Sequence, residues 1–194
     1  VNGLRWYVSY GSNLHAARLG CYLAGGRPPG GRVTNPGARD AAPPRVDRRV
    51  DLDDALLFGG PSSNWHGGPA YLDTDTPGHT IARAWLLTHE QFEDVVAQEN
   101  RIPPGALTVP DELVHDGGVL LPDARYGRVV ALPPIDDVPA VTFTYVDRPP
   151  PRAPDPRYLD LLHAGLRELG LGAEQAMAHL RTQPQLVDVP DVSP

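Results

Sequence analysis

Leu4, Trp6, Val8 and Tyr10 alternate with Arg5, Tyr7 and Ser9, a period of two that predicts a β-strand at the start of the chain. Leu14, Ala17, Cys21 and Ala24 then recur at steps of three and four, which predicts a helix packing through those four residues. Short apolar runs predict strands near 46–50, 55–58, 70–72 and 80–87, the last leading into a helix that ends at Glu99. Beyond a long loop, strands are expected near 127–132 and 140–146. A Pro-rich linker over 148–156 then leads to helices over 158–169 and 173–181. Strands and helices interleave without strict βαβ alternation. The expected class is therefore α+β: a curled mixed β-sheet, partly closed as a barrel, flanked by helices. One domain over residues 1–181 and a loose tail over 182–194 complete the expectation.

Two places in this pattern carry chemistry. The first is Tyr10-Gly11-Ser12-Asn13-Leu14, a turn between the first strand and the first helix. Helix-start amides lack partners within the helix and bind anions or polarised carbonyls, and glycine allows close approach. The bland reading is an ordinary N-cap. The second is the helix before Glu99. Thr88 and Gln91 form a capping box, and acidic residues load the first turns. Phe92, Val95 and Val96 make its apolar stripe, and the next position on that stripe is Glu99. Glu90, Glu93, Asp94, Ala97 and Gln98 read as a solvated face. A carboxylate aimed at a core is costly unless paired, which suits a general acid or base; the alternative is a structural pair with an arginine.

Composition narrows the classes. Net charge is −7 with no basic run, which argues against nucleic-acid or anionic-membrane partners. All 17 basic residues are arginine, so a lysine nucleophile or Schiff base is excluded. Gly 20 and Pro 23 in 194 residues announce many turns. Cys21 is the only cysteine, so no intrachain disulfide forms and a reducing, cytoplasmic setting is expected. On the packing face it reads as structural, not nucleophilic. No secretory leader or membrane-length apolar run is apparent, and Val1 is expected to be a trimmed start.

His89-Glu90-Gln91-Phe92-Glu93 has the start of a helical zinc motif, but its second ligand position is Glu93, so no metal is expected. Asp73-Thr74-Asp75 reads as a turn, not a calcium site. No phosphate-binding or dinucleotide glycine pattern is present. Ser12 lacks the setting of a nucleophile elbow.

Order and spacing of the short motifs carry a resemblance over most of residues 4–180. Tyr10-Gly11-Ser12-Asn13-Leu14, Trp65-His66-Gly67-Gly68 and the Gln98-Glu99 pair ending the capped helix resemble the γ-glutamylcyclotransferases. Pro154-Asp155-Pro156-Arg157-Tyr158, followed by Gly165 and Gly170-Leu171, is similar to their C-terminal helix and its tyrosine. The resemblance implies Glu99 as the catalytic acid/base and Tyr10, Gly11, Ser12, Asn13 and Leu14 as substrate-binding residues. It further implies that Tyr126, Tyr145 and Tyr158 wall the pocket, with no cofactor. The implied substrate is a γ-glutamyl amide or peptide, releasing 5-oxoproline. A dedicated enzyme trimming a γ-glutamyl-like acyl group from a specialised metabolite, or a non-catalytic binding protein, are the alternatives. His66 either lines the pocket or makes a structural hydrogen bond. Loops over 25–44 and 100–124 are longer than the resemblance leads one to expect. The second, with Pro103-Pro104-Gly105 and a hairpin tip at Gly117-Gly118, is expected to act as a lid selecting the leaving group. Oligomeric state is left open.

Overall fold

A computed structural model describes residues 3–28, 31–62, 65–110, 118–121, 124–184 and 186. β1 (Leu4–Ser9) lies at the centre of a mixed six-stranded sheet, antiparallel to β3 (Ala70–Thr88) and parallel to β6 (Val138–Thr144). β2 (Asp47–Phe58) forms one edge beyond β3. β5 (Arg128–Ile135) and then β4 (Val119–Leu120) extend the other side, and no pairing joins β2 to β4 among the described residues. The class is α+β, with an open sheet.

The alternation along β1 is real, yet both of its faces are covered. Trp6 and Val8 pack with Leu161, Leu162 and Leu166 of α3 (Pro156–Glu168) and with Leu180 of α4 (Ala173–Arg181). Tyr7 packs on the other face with Leu19 and Leu23 of α1 (Ala16–Leu23) and Phe92 of α2 (His89–Glu99). Helices on both sides explain why Arg5 and Ser9 are buried.

The four short strands expected over 46–87 are two long ones. Leu52 pairs with Thr80 and Ala55 with Asp73, so a bulged break joins two ladders within a single β2–β3 hairpin. Asp73-Thr74-Asp75, expected as a turn, lies within β3: Asp73 is buried, accepting from the Tyr145 hydroxyl (2.7 Å) and pairing with Arg148 (2.8 Å).

Helix α1 corrects the expected phase. It starts at Ala16, after a separate 3-10 turn over Ser12–Leu14. Its buried residues are Arg18, Leu19, Tyr22 and Leu23; Ala17 and Ala24 are exposed and Cys21 is half-buried. Of the residues expected on a solvated face of α2, Glu90 is exposed, whereas Glu93, Asp94, Ala97 and Gln98 are all buried. Asp94 accepts from the Arg39 backbone N–H (2.8 Å), the Arg39 side chain and the Gly105 N–H (2.8 Å). Glu93 accepts from the Val109 N–H (2.9 Å) and meets His89 one turn earlier (3.2 Å). The partial zinc motif is thus a His–Glu pair on one helix face.

Gly165 permits α3 to press against the turn. A Cβ there would sit 2.5 Å from Leu14 Cβ and 2.7 Å from the His15 nitrogen. Gly165→Ala is expected to lower stability by about 1–2 kcal/mol. Overpacking of ~1–3 kcal/mol outweighs the gain of ~1 kcal/mol in helix propensity. A shift of the urea midpoint checks it.

Burial holds the His179 imidazole below its ordinary value of 6.5; His79 and Arg49 push the same way and Asp51 opposes. His179 Nε2 accepts the Ile81 N–H at 3.1 Å, a bond that protonation would break. The folded state therefore binds fewer protons than the unfolded one. This contribution is full above 6.5 and is lost as the pH falls below it toward the folded value. His179→Gln, whose amide oxygen accepts the same N–H, should flatten the stability-against-pH curve just below 6.5.

Candidate active site

The turn after β1 is held from three sides. Trp85 of β3 donates its indole N–H to the Asn13 carbonyl at 3.0 Å, and Arg83 donates to the Leu14 carbonyl at 3.0 Å. The Tyr158 hydroxyl accepts the backbone N–H groups of Ala70 (3.0 Å) and Ser12. Gly11 faces that hydroxyl, which would lie 3.0 Å from a Cβ at this position. The α1 terminus itself is occupied, because the Ala16 N–H is bonded to Glu168 at 2.9 Å. The Gly-Ser-Asn segment is therefore a braced turn, not the open start of a helix.

This bracing brings Asn13 to Glu99. Asn13 Nδ2 donates to Glu99 Oε1 at 3.0 Å and to the Tyr7 hydroxyl at 3.0 Å. Glu99 is half-buried at the end of α2, and the Tyr22 hydroxyl is its second donor. Tyr22 also accepts from Arg18, whose guanidinium lies 4.2 Å from its ring centre. Burial, joined by the negative charge of Glu99, pushes the Tyr7 and Tyr22 phenols well above their ordinary range, so both stay protonated donors. Burial opposes the charge on Arg18, but Tyr22 and Glu99 outweigh it and raise its pKa.

Glu99 borders a cavity of about 70 Å³ together with Ser12, Arg18, Tyr22, Tyr126 and Tyr158. A smaller space of about 20 Å³, reached by Tyr10, Gly11 and Asn13, shares Ser12, Glu99, Tyr126 and Tyr158 with it. Several polar atoms here are buried without a hydrogen bond: Arg18 Nε and Nη1, Asn35 Nδ2 and Asn13 Oδ1. Such atoms are costly in a finished interior, and water or a polar ligand in the cavity would complete their bonding. Arg18, Arg101 and Arg125 line the cavity alongside Glu99, so its balance is cationic. Arg101, two residues beyond Glu99, has φ +60, a left-handed backbone uncommon outside glycine. Among the described residues, no three His, Cys, Asp or Glu side chains are grouped to hold a metal ion.

No family profile matches the chain. Its structure is similar to that of a γ-glutamyl cyclotransferase, with a TM-score of 0.58 and 18% identity, covering 98% of this chain and 92% of that one. A human protein described as uncharacterized is similar to the same degree, with a TM-score of 0.58 and 18% identity over 100% of this chain and 93% of its own. The chain has the γ-glutamyl cyclotransferase fold. In sequence it is 32% identical over 197 residues to histone deacetylase 5 of Arabidopsis thaliana. That match covers 90% of this chain, which spans about 30% of the relative's length.

Within this cyclotransferase fold, Tyr10, Gly11, Ser12, Asn13, Glu99, Tyr126 and Tyr158 meet around one space. Two expected residues lie elsewhere. Leu14 packs in the core under α3, as a wholly apolar side chain beside Gly165 must. Tyr145 borders a neighbouring cleft, its hydroxyl drawn off by Asp73. Burial, and then that carboxylate, push its phenol up to about 12. His66 is exposed beside Arg32 while its neighbour Trp65 lines the cavity and packs on Tyr158 at 5.7 Å. Part of the expected lid, residues 111–117 and 122–123, lies outside the described residues. Its first part runs along α2, pinned at Gly105 and Val109, and Gly118 opens β4. Sequence reading missed Arg18, Tyr22, Asn35, Arg101 and Arg125. Arg18 and Tyr22, four residues apart beside Leu19 and Leu23, become visible once the helix is started at Ala16.

Proposed function

We propose that the chain is a cyclotransferase that releases 5-oxoproline from a γ-glutamyl amide or peptide. The observation that carries this reading is Glu99, held by Asn13 and Tyr22 at a small cavity with unsatisfied cationic and amide donors. In such a substrate the α-amine reaches its own γ-carbonyl. Holding it folded supplies much of the acceleration as proximity. Glu99 takes one proton from the α-ammonium and passes it to solvent. The free amine attacks the γ-carbon, and Glu99 takes a second proton from the attacking nitrogen. The bond to the departing nitrogen breaks as Glu99 gives that proton to it, leaving the lactam and a neutral amine. Arg18 pairs with the α-carboxylate through its free Nε and Nη1. Tyr158, accepting two backbone N–H groups, keeps its own proton for the carbonyl oxygen as negative charge gathers there. Tyr10, Gly11, Asn13 and Tyr126 shape the remaining walls. No cofactor enters this scheme, and the partner is the small γ-glutamyl substrate. Cytoplasmic residence fits the lone Cys21; among the described residues, no helix is long and apolar enough to cross a membrane.

The test is incubation with a panel of γ-glutamyl amides and detection of 5-oxoproline by mass spectrometry. Release of free glutamate in its place would point to hydrolysis and remove the intramolecular step. The deacetylase name belongs to a protein of which this chain matches under a third, so it supplies no argument about this cavity.

A further inference from the structure

Beside the Glu99 cavity lies a larger cleft of about 320 Å³ that the scheme above leaves unused. Its walls are flat: Tyr71, Tyr145, Pro61, Pro149 and Pro150, closed by Arg125. Two features connect it to the reacting centre. Arg125 borders both spaces. The Tyr71 ring, in the cleft, touches Tyr126 of the Glu99 cavity, with ring centres 5.0 Å apart. Tyr71 and Tyr145 meet edge to face at 5.9 Å, leaving aromatic and proline surfaces toward the space.

We infer that this cleft receives the leaving amine, and that the amine carries a flat aromatic ring. The inference rests on the cyclotransferase reading and names its substrate class. With the glutamyl part bound between Arg18, Tyr158 and Glu99, the departing nitrogen has to lead out of a cavity of about 70 Å³, and the adjoining cleft is the larger space behind Arg125. Rings bind well among tyrosines and prolines, and a guanidinium stacks on an aromatic face. Both an aromatic amino acid and an arylalkylamine present that ring. Arg125 favours the former through its carboxylate, while Asp147 at the exposed rim opposes it.

Four substrates separate these cases by kcat/KM for 5-oxoproline release: the γ-glutamyl derivatives of methylamine, alanine, phenethylamine and phenylalanine. Phenylalanine is expected to exceed alanine by about tenfold or more, the worth of burying a ring. A matching gain of phenethylamine over methylamine shows that the ring is read without the carboxylate, and the faster of the phenethylamine and phenylalanine derivatives then assigns the class. A gain confined to phenylalanine assigns the aromatic amino acid. Equal rates within both pairs overturn the inference and leave the cyclotransferase reading intact. No 5-oxoproline from any of the four overturns both. Val146, exposed on the cleft wall, provides a second arm, since Val146→Trp fills the space without touching the core. It should reduce the ring preference to near parity, and an undiminished preference would place the ring elsewhere and overturn the inference.

Discussion

Glu99→Gln leaves the chain folded and lowers 5-oxoproline release by about 10²–10⁴-fold, the usual worth of a positioned acid/base. The amide has the same shape, and its oxygen still accepts from Asn13 Nδ2, so the cavity keeps its walls. What disappears is the capacity to take a proton from the attacking amine and return it to the departing one. Glu99→Asp separates chemistry from placement. It retains the carboxylate but withdraws it by one methylene, and a misplacement near 1 Å costs about 10²-fold. Circular dichroism establishes folding; steady-state rates on one γ-glutamyl amide establish the loss. Activity within tenfold of wild type in the glutamine variant would end the acid/base assignment.

Arg18→Met is expected to raise KM by about 10–100-fold, as losing a charged hydrogen bond costs ~1.5–3 kcal/mol, with a smaller change in kcat. Arg18 meets the α-carboxylate, which does not change charge during the reaction, so ground state and transition state lose alike. The opposite sign is expected for stability. Arg18 is buried with Nε and Nη1 unpartnered, and an apolar side chain of similar length relieves that cost, by about 1 kcal/mol or more. A variant that binds worse and melts higher is the signature of a residue retained for its ligand. Arg18→Lys should recover part of the binding as a point charge without the planar fork. Unchanged KM with lowered stability would make Arg18 a structural residue.

Much of the frame was legible because it rests on local rules. The period of two in β1, the Thr88–Gln91 capping box, now seen with both of its bonds, and the stripe leading to Glu99 need only neighbouring residues. The failures share a different cause. Asp94 and Glu93 looked solvated because their partners, Arg39, Gly105 and Val109, belong to loops whose folding back no helical period announces. The phase of α1 was lost when Leu14, a residue of the preceding turn, was counted into its stripe. Two covered faces on one sheet also remove the contrast between inside and outside. The period of two in β1 therefore separates two buried faces, with Arg5 and Ser9 buried on one of them. Tyr145 borders the adjoining cleft and not the Glu99 cavity, its hydroxyl bonded to Asp73, a contact between distant strands that no local pattern announces.

β3 ends at Thr88 and α2 begins at His89, so no loop separates strand from helix, and Glu99 is the last residue of those 11. The helix is in effect a ruler fixed at one end to the sheet. Its length, about 1.5 Å per residue, and its turn, about 100° per residue, set where the carboxylate arrives. Substitutions along this ruler are graded in their effects, but a change in the number of residues is not. One residue more or fewer between Thr88 and Glu99 swings the carboxylate by more than a quarter turn, away from Asn13 and Tyr22. Variation in this lineage is therefore expected to alter letters within the segment while its count stays fixed, and to gather its insertions on the far side of Glu99.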